Sequence, residues 1–194
     1  MARADPSAVS LEVGIRSGWA TLRQVHGAAV FEVTRPGRAG RGDALVTRTK
    51  GLPLAVFTAD CGGVVLETAG AVAVVHAGWR GVAAGVVAEA ARYLGEVSDG
   101  GDGVSGGGVS RAAVGPMIGP CCFEVGDEVA VLFAGWEAAT RWGTRSVDLG
   151  AAIRAQVPDV SWWSADACTR CGEGWFSYRG TGTDSRMATL GWIP

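Results

Sequence analysis

The chain has 194 residues, 48% of them hydrophobic and 19% charged, which fits one globular domain with a real core and excludes a disordered polymer. Its formal net charge of −2 excludes a nucleic-acid partner held by bulk electrostatics, so an anionic ligand needs a local basic site. No run approaches the roughly 18 apolar residues of a membrane span, no secretory leader is legible, and the five cysteines form an odd set without scaffold spacing; a cytoplasmic chain with reduced thiols and no membrane partner is expected.

Short apolar runs at residues 20–24, 28–33, 43–47, 54–58, 64–68 and 71–75 are bounded by Gly, Pro or polar residues. They are too short for helices and predict strands. After His76 the period changes. Residues 81–96 place Ala and Val at helical spacing, with Glu89, Arg92 and Glu96 for a solvent face, and predict a helix. Residues 98–110, mostly Gly, Asp and Ser, predict a flexible surface loop inserted in one domain. A strand at 111–117 follows, then a helix at 123–133 with Glu124, Asp127 and Glu128 near its positive end. A short helix at 149–156 and a strand at 187–192 complete a single α/β domain over residues 1–194, with no internal repeat.

Histidine occurs only twice, as His26 and His76, each beside a turn at the end of an apolar strand. Cys61, in Thr58-Ala59-Asp60-Cys61-Gly62-Gly63, occupies the same kind of position. Strand ends of α/β domains present functional groups to a shared crevice. Two imidazoles and a thiolate satisfy the three-ligand count of a catalytic zinc site with one position left open. The alternative reading makes each His a hydrogen-bonded strand-end residue and Cys61 a small buried hydrophobe.

The segment His76-Ala77-Gly78-Trp79-Arg80-Gly81 reads as strand, Gly-rich turn and helix start, with Arg80 in the turn and Trp79 placed to wall a pocket. Free backbone N–H groups and a guanidinium suit phosphate there; the alternative is a plain tight turn with a surface arginine. Asp60 is a general base or an orienting carboxylate, against the simpler role of a turn cap. Of the adjacent Cys121 and Cys122, one faces a site, because neighbours in a strand point apart. Cys168-Thr169-Arg170-Cys171 is a lone C-x-x-C; a complete zinc site needs further ligands, and a structural or incidental role is expected.

Taken together, Gln24-Val25-His26-Gly27, Asp43-Ala44-Leu45-Val46-Thr47, Thr58-Ala59-Asp60-Cys61, the six-residue His76 motif and residues 115–125 resemble one family. It is the family variously named polyphenol oxidase or laccase-domain proteins, peptidoglycan editing factor and multifunctional purine nucleoside phosphorylase. Cys168 to Cys171, Phe176-Ser177-Tyr178-Arg179 and Arg186-Met187-Ala188-Thr189-Leu190 look like its C-terminal signature, and the order is kept from about residue 20 onward. The resemblance implies a layered α/β (α+β) fold, a mixed-sheet sandwich flanked by helices like some bacterial toxin deamidases. It implies Zn2+ on His26, Cys61 and His76, with Cu2+ as a possible substitute. It also implies phosphorolysis of adenosine, inosine and guanosine to base and ribose 1-phosphate, with adenosine deamination as a side activity.

The residues expected at the site are Asp60, Cys61 and His76 for catalysis, Gln24, Arg80 and Cys122 for substrate binding, and His26, Cys61 and His76 for metal. Members of the family usually carry a longer region before the Gln24 motif, where this chain has about twenty residues; if that region walls the nucleoside pocket, an open site, a different substrate or reduced activity is expected. Three other readings compete. A multicopper phenol oxidase needs many more imidazoles than two. A cysteine hydrolase would use Cys61 as nucleophile and His76 as base, the class that includes editing of a peptidoglycan precursor. A zinc staple without catalysis requires a fourth protein ligand, which Cys121 or Cys122 would have to supply.

Overall fold

A computed structural model of the chain describes residues 18–98 and 108–194, together with Glu12 and Gly14. The fold is mixed α/β. A six-stranded sheet is built from β2 (Val30–Glu32), β4 (Ala44–Thr47), β6 (Gly62–Glu67), β7 (Val72–Ala77), β8 (Arg111–Val114) and β11 (Ser161–Ser164), in the order β11-β8-β6-β7-β4-β2. A four-stranded sheet runs β12-β5-β1-β3, from β1 (Ala20–Arg23), β3 (Gly37–Arg41), β5 (Leu54–Thr58) and β12 (Met187–Gly191). A hairpin of β9 (Glu137–Ala139) and β10 (Arg145–Val147) stands apart.

The larger sheet is the middle layer. Alternate residues of a strand point to opposite faces, and here the two faces bury different cores. Leu45, Val72 and Val74 join Ala20, Leu22, Leu54 and Val56 of the smaller sheet. Ala44, Val46, Ala73 and Val75 face the helices instead, with Val86, Val87, Ala90 and Leu94. All six residues of β7 are therefore buried, the pattern of a strand covered on both sides. Each fully buried Leu or Val contributes about 1.5–3 kcal/mol relative to exposure.

The helix expected at 81–96 is two helices, α1 (Trp79–Ala83) and α2 (Val86–Ser98). Gly85 has φ +78 between them, outside the helical region, so the backbone turns there. The open N–H groups at the start of α2 are satisfied from elsewhere: Gln156 accepts from Val87 and Ala88 and donates to the carbonyl of Val82. The helix expected at 123–133 is shortened to α3 (Asp127–Ala130) with a 3-10 turn, Val131–Phe133, because Glu124 instead bridges to Ser146 and the helix begins after Gly126. Residues 149–156 are helical as α4 (Leu149–Ala155), and a short α5 (Tyr178–Thr181) follows later. Strand β8 stops at Val114, ahead of the Gly115-Pro116 step. The loop expected at 98–110 lies, for residues 99–107, outside the described residues.

Candidate metal centre and its cavity

Three chain segments meet where β1, β5 and β7 end. His76 lies near the end of β7 and shares the face of Val72 and Val74, between the two sheets. Cys61 sits in the turn entering β6, and His26 in the turn after β1. One donor atom from each comes within 4.8 Å of the other two. Cys61 Sγ is 3.9 Å from His26 Nε2, and the two imidazole rings meet edge to face with centroids 4.7 Å apart.

The residue that builds this arrangement is Asp43, at the entrance to β4. It is fully buried, a position that an ionised carboxylate tolerates only when its lone pairs are filled. Its oxygens accept the backbone N–H groups of Val25, His26 and Gly27 at 2.7–3.3 Å and bond to His76 Nδ1 at 2.7 Å. Burial opposes ionisation of Asp43, but His76 and the backbone donors outweigh it and hold the carboxyl below its usual range. With Nδ1 engaged, the free nitrogen of His76 is Nε2. One carboxylate thus folds the His26 turn and orients the His76 ring, the outer-shell arrangement common around metal-ligating imidazoles.

The local backbone is strained where it serves the centre. His26 has φ +60 and Asp60 φ +90, conformations that cost non-glycine residues on the order of 1–3 kcal/mol each. Gly78 is obligatory for a different reason: a Cβ there would come within 2.8 Å of His26 Cδ2 and 3.0 Å of Cys61 Sγ. Burial raises the Cys61 thiol, yet bonds from His26 and His76 bring it down to about 7. Burial likewise lowers His76, yet Asp43 and Cys61 lift it to about 9. Two nitrogens and a sulfur biased toward thiolate, converging beside a cavity, fit a zinc or copper ion.

The cavity has a volume of about 670 Å³, within the ordinary range for small-molecule sites. It is lined by His26, Cys61 and His76 on one side, by Phe57, Trp79, Phe123 and Tyr178, and by Arg80, Arg179 and Arg186. Among the described residues none of the three arginines has a carboxylate within ion-pair distance. Arg80 lies 4.2 Å over the Trp79 ring and Arg179 5.5 Å over that of Phe123. In a chain of net charge −2, this is the local basic site that an anion requires.

Of the residues expected at the site, Gln24, His26, Asp60, Cys61, His76 and Arg80 all line this cavity. Gln24 does so with its amide already paired to the N–H and carbonyl of Phe57. Both Asp60 oxygens also have partners, Thr169 Oγ1 at 2.7 Å and the Arg179 N–H at 2.6 Å. Cys122 does not line the cavity; it is fully buried, and its thiol turns instead toward Cys121, at 3.7 Å. Asp43, Arg179 and Arg186 are missed by the sequence reading of individual residues. A lone carboxylate opening the apolar run 44–46 was the available signal for Asp43.

The chain is similar to several known proteins. A family model described as multi-copper polyphenol oxidoreductase laccase matches residues 4–194. A Streptomyces coelicolor protein named purine nucleoside phosphorylase is 37% identical over 184 residues, which cover 89% of this chain and 74% of that one. YfiH of Escherichia coli, also named purine nucleoside phosphorylase, is 36% identical over 185 residues, covering 89% and 72%. The crystal structure of YlmD from Geobacillus stearothermophilus matches with a TM-score of 0.81 at 29% identity, covering 97% of this chain and 79% of that one.

Proposed function

The chain belongs to the multi-copper polyphenol oxidoreductase laccase family, and from that premise we propose that it is a zinc-dependent purine nucleoside phosphorylase with an adenosine deaminase side activity. The observation that carries this reading is the juxtaposition, in one cavity, of a three-donor N/N/S centre, aromatic rings and three arginines without carboxylate partners. A purine nucleoside supplies a flat π-system and a polar sugar, and phosphate supplies the anion. Phenol oxidation through several copper centres fits poorly, since the chain's two histidines lie in one cluster.

His26, Cys61 and His76 would hold the ion. When bound it would supply Lewis acidity, which lets water act as a nucleophile near neutral pH for deamination of adenosine and takes up negative charge on the departing purine in phosphorolysis. In phosphorolysis a phosphate oxygen bonds to the sugar carbon as the bond from that carbon to the base nitrogen breaks. Arg80, Arg179 and Arg186 hold the phosphate and screen its charge, so that it meets a carbon growing positive. Phe123, Tyr178 and Trp79 offer faces for the base. Asp60 positions Arg179 through its backbone N–H, and any proton it takes must compete with the two hydrogen bonds it already accepts.

Arg80→Ala tests the phosphate assignment. Loss of a charge-assisted contact worth about 1.5–3 kcal/mol raises the KM for phosphate roughly tenfold or more, with the KM for nucleoside little changed. A rise confined to the nucleoside would contradict it. A second reading keeps Cys61 as nucleophile but takes His26 as its base in place of the expected His76, because Cys61 Sγ lies 3.9 Å from His26 Nε2. Under that reading zinc inhibits and alkylation of Cys61 abolishes hydrolysis; under the first, zinc protects Cys61 from alkylation and activity follows zinc content.

A further inference from the structure

The C-x-x-C pair, incomplete as a metal site in the sequence, is not alone in the structure. Cys121, Cys122, Cys168 and Cys171 bring their four sulfurs within 4.8 Å of one another. Two of these separations are 3.7 Å for Cys121–Cys122 and 3.8 Å for Cys121–Cys171. Zinc–sulfur bonds of about 2.3 Å around a tetrahedral centre put sulfurs about 3.8 Å apart. A disulfide would need about 2.05 Å, and the four thiols are free. An iron–sulfur cluster places several atoms between its cysteines and needs a wider cage than these separations leave.

The backbone is arranged to hold the four in place. Met117 and Cys168 form a bridge between the two segments, with Met117 N–H donating to Ala167 and Thr169 N–H to Met117. Gly119 N–H donates to Cys168 Sγ at 3.3 Å, as backbone amides do toward thiolate. Arg170, between the cysteines of the pair, donates to the carbonyl of Cys122, setting positive charge beside the cluster. Four ionised sulfurs this close repel one another unless a cation lies between them.

We propose that Cys121, Cys122, Cys168 and Cys171 bind one zinc ion as a closed, four-thiolate structural site, separate from the His26, Cys61, His76 centre. Its position gives it a task. One cluster segment runs on into Phe123, and the other, through Thr169 and its bond to Asp60, leads to Tyr178 and Arg179. The ion staples these two walls of the cavity together. Soft thiolate ligands in tetrahedral number select zinc over harder ions.

Untagged protein purified without oxygen tests this, by zinc content per chain and by the absorption of the cobalt-substituted protein. The expected result is that His76→Ala keeps about one zinc per chain, and that its cobalt form shows the intense sulfur-to-metal bands of a tetrahedral thiolate site. Cys171→Ser loses one zinc relative to the parent while His26, Cys61 and His76 keep theirs; if that variant fails to fold, the cobalt spectrum of His76→Ala carries the test. A zinc-free His76→Ala protein, a disulfide among the four cysteines in the parent, or iron with acid-labile sulfide would each overturn the proposal. None of these outcomes depends on nucleoside turnover, so this site and the proposed activity stand or fall separately.

Discussion

Two clusters of soft donors lie in this fold, and they differ in every respect that separates reactive sites from structural ones. His26, Cys61 and His76 offer three donors at the wall of a cavity. Their supporting backbone is strained at His26 and Asp60, and a buried carboxylate fixes one ring. The four cysteines offer a full tetrahedral set, none with positive φ, tied by ordinary backbone bonds between two loops. A zinc site with four protein ligands has no position left for substrate, whereas one with three does. On the proposed reading, reactivity is a matter of what the chain withholds from the ion.

The largest effect that would sharpen this contrast is removal of the open centre. Chelation, or His26→Ala, should lower purine release on the order of a thousandfold, since Lewis acidity is worth several kcal/mol and each 1.4 kcal/mol is a factor of ten. The contrast fails if chelated protein, verified zinc-free, turns over nucleoside at the parent rate.

Asp43→Asn comes next. It keeps the shape but weakens the bond to His76 and the turn that carries His26. Zinc affinity at the open centre should fall about 10–100-fold, read by competition with a chromophoric chelator, while the four-thiol site keeps its ion. Unchanged affinity would remove Asp43 from the account.

The pH dependence follows, at up to about tenfold in affinity per pH unit for each proton displaced. His76 gives up a proton below about 9 and Cys61 below about 7, so zinc affinity rises with pH and calorimetry in buffers of different ionisation enthalpy should show proton release. Stability of the chelated protein behaves otherwise. The raised His76 stabilises below its unfolded value of about 6.5 and loses this as pH climbs through about 9. The lowered Cys61 stabilises above its unfolded value and loses this as pH falls through about 7. Between 7 and 9 these two trends oppose, while Cys168, lowered to about 7 by backbone N–H groups against burial, adds stability as pH rises, so the Tm of chelated protein should climb modestly there; a fall would contradict this balance.

The smallest effect is that of Asp60→Asn. Its oxygens hold Thr169 and the Arg179 N–H, and an amide keeps one acceptor. A few-fold rise in the KM for phosphate is expected, since a neutral hydrogen bond is worth about 1 kcal/mol. A loss approaching that of the metal ligands would make Asp60 the proton carrier instead.

Much of this was legible from residues alone. The six early strands follow their apolar runs because burial on one or both faces leaves a two-residue period or a continuous run. The sparse histidines announced the open centre because imidazole at a strand end has few uses. Other parts had no local signal. β3, Gly37–Arg41, is an exposed edge strand without an apolar pattern, and β11 pairs Trp162 and Trp163 with β8 across a long separation. The break at Gly85 depends on Gln156, far along the chain. The four-cysteine cluster was invisible for the same reason: nothing near Cys168 reveals that its segment bridges to Met117.

The most direct test of the central claim is product analysis of zinc-loaded protein incubated with adenosine, with and without phosphate. Adenine and ribose 1-phosphate appearing only with phosphate, and lost in His26→Ala, is the predicted result. Zinc-loaded, folded protein that releases no purine under either condition would contradict it.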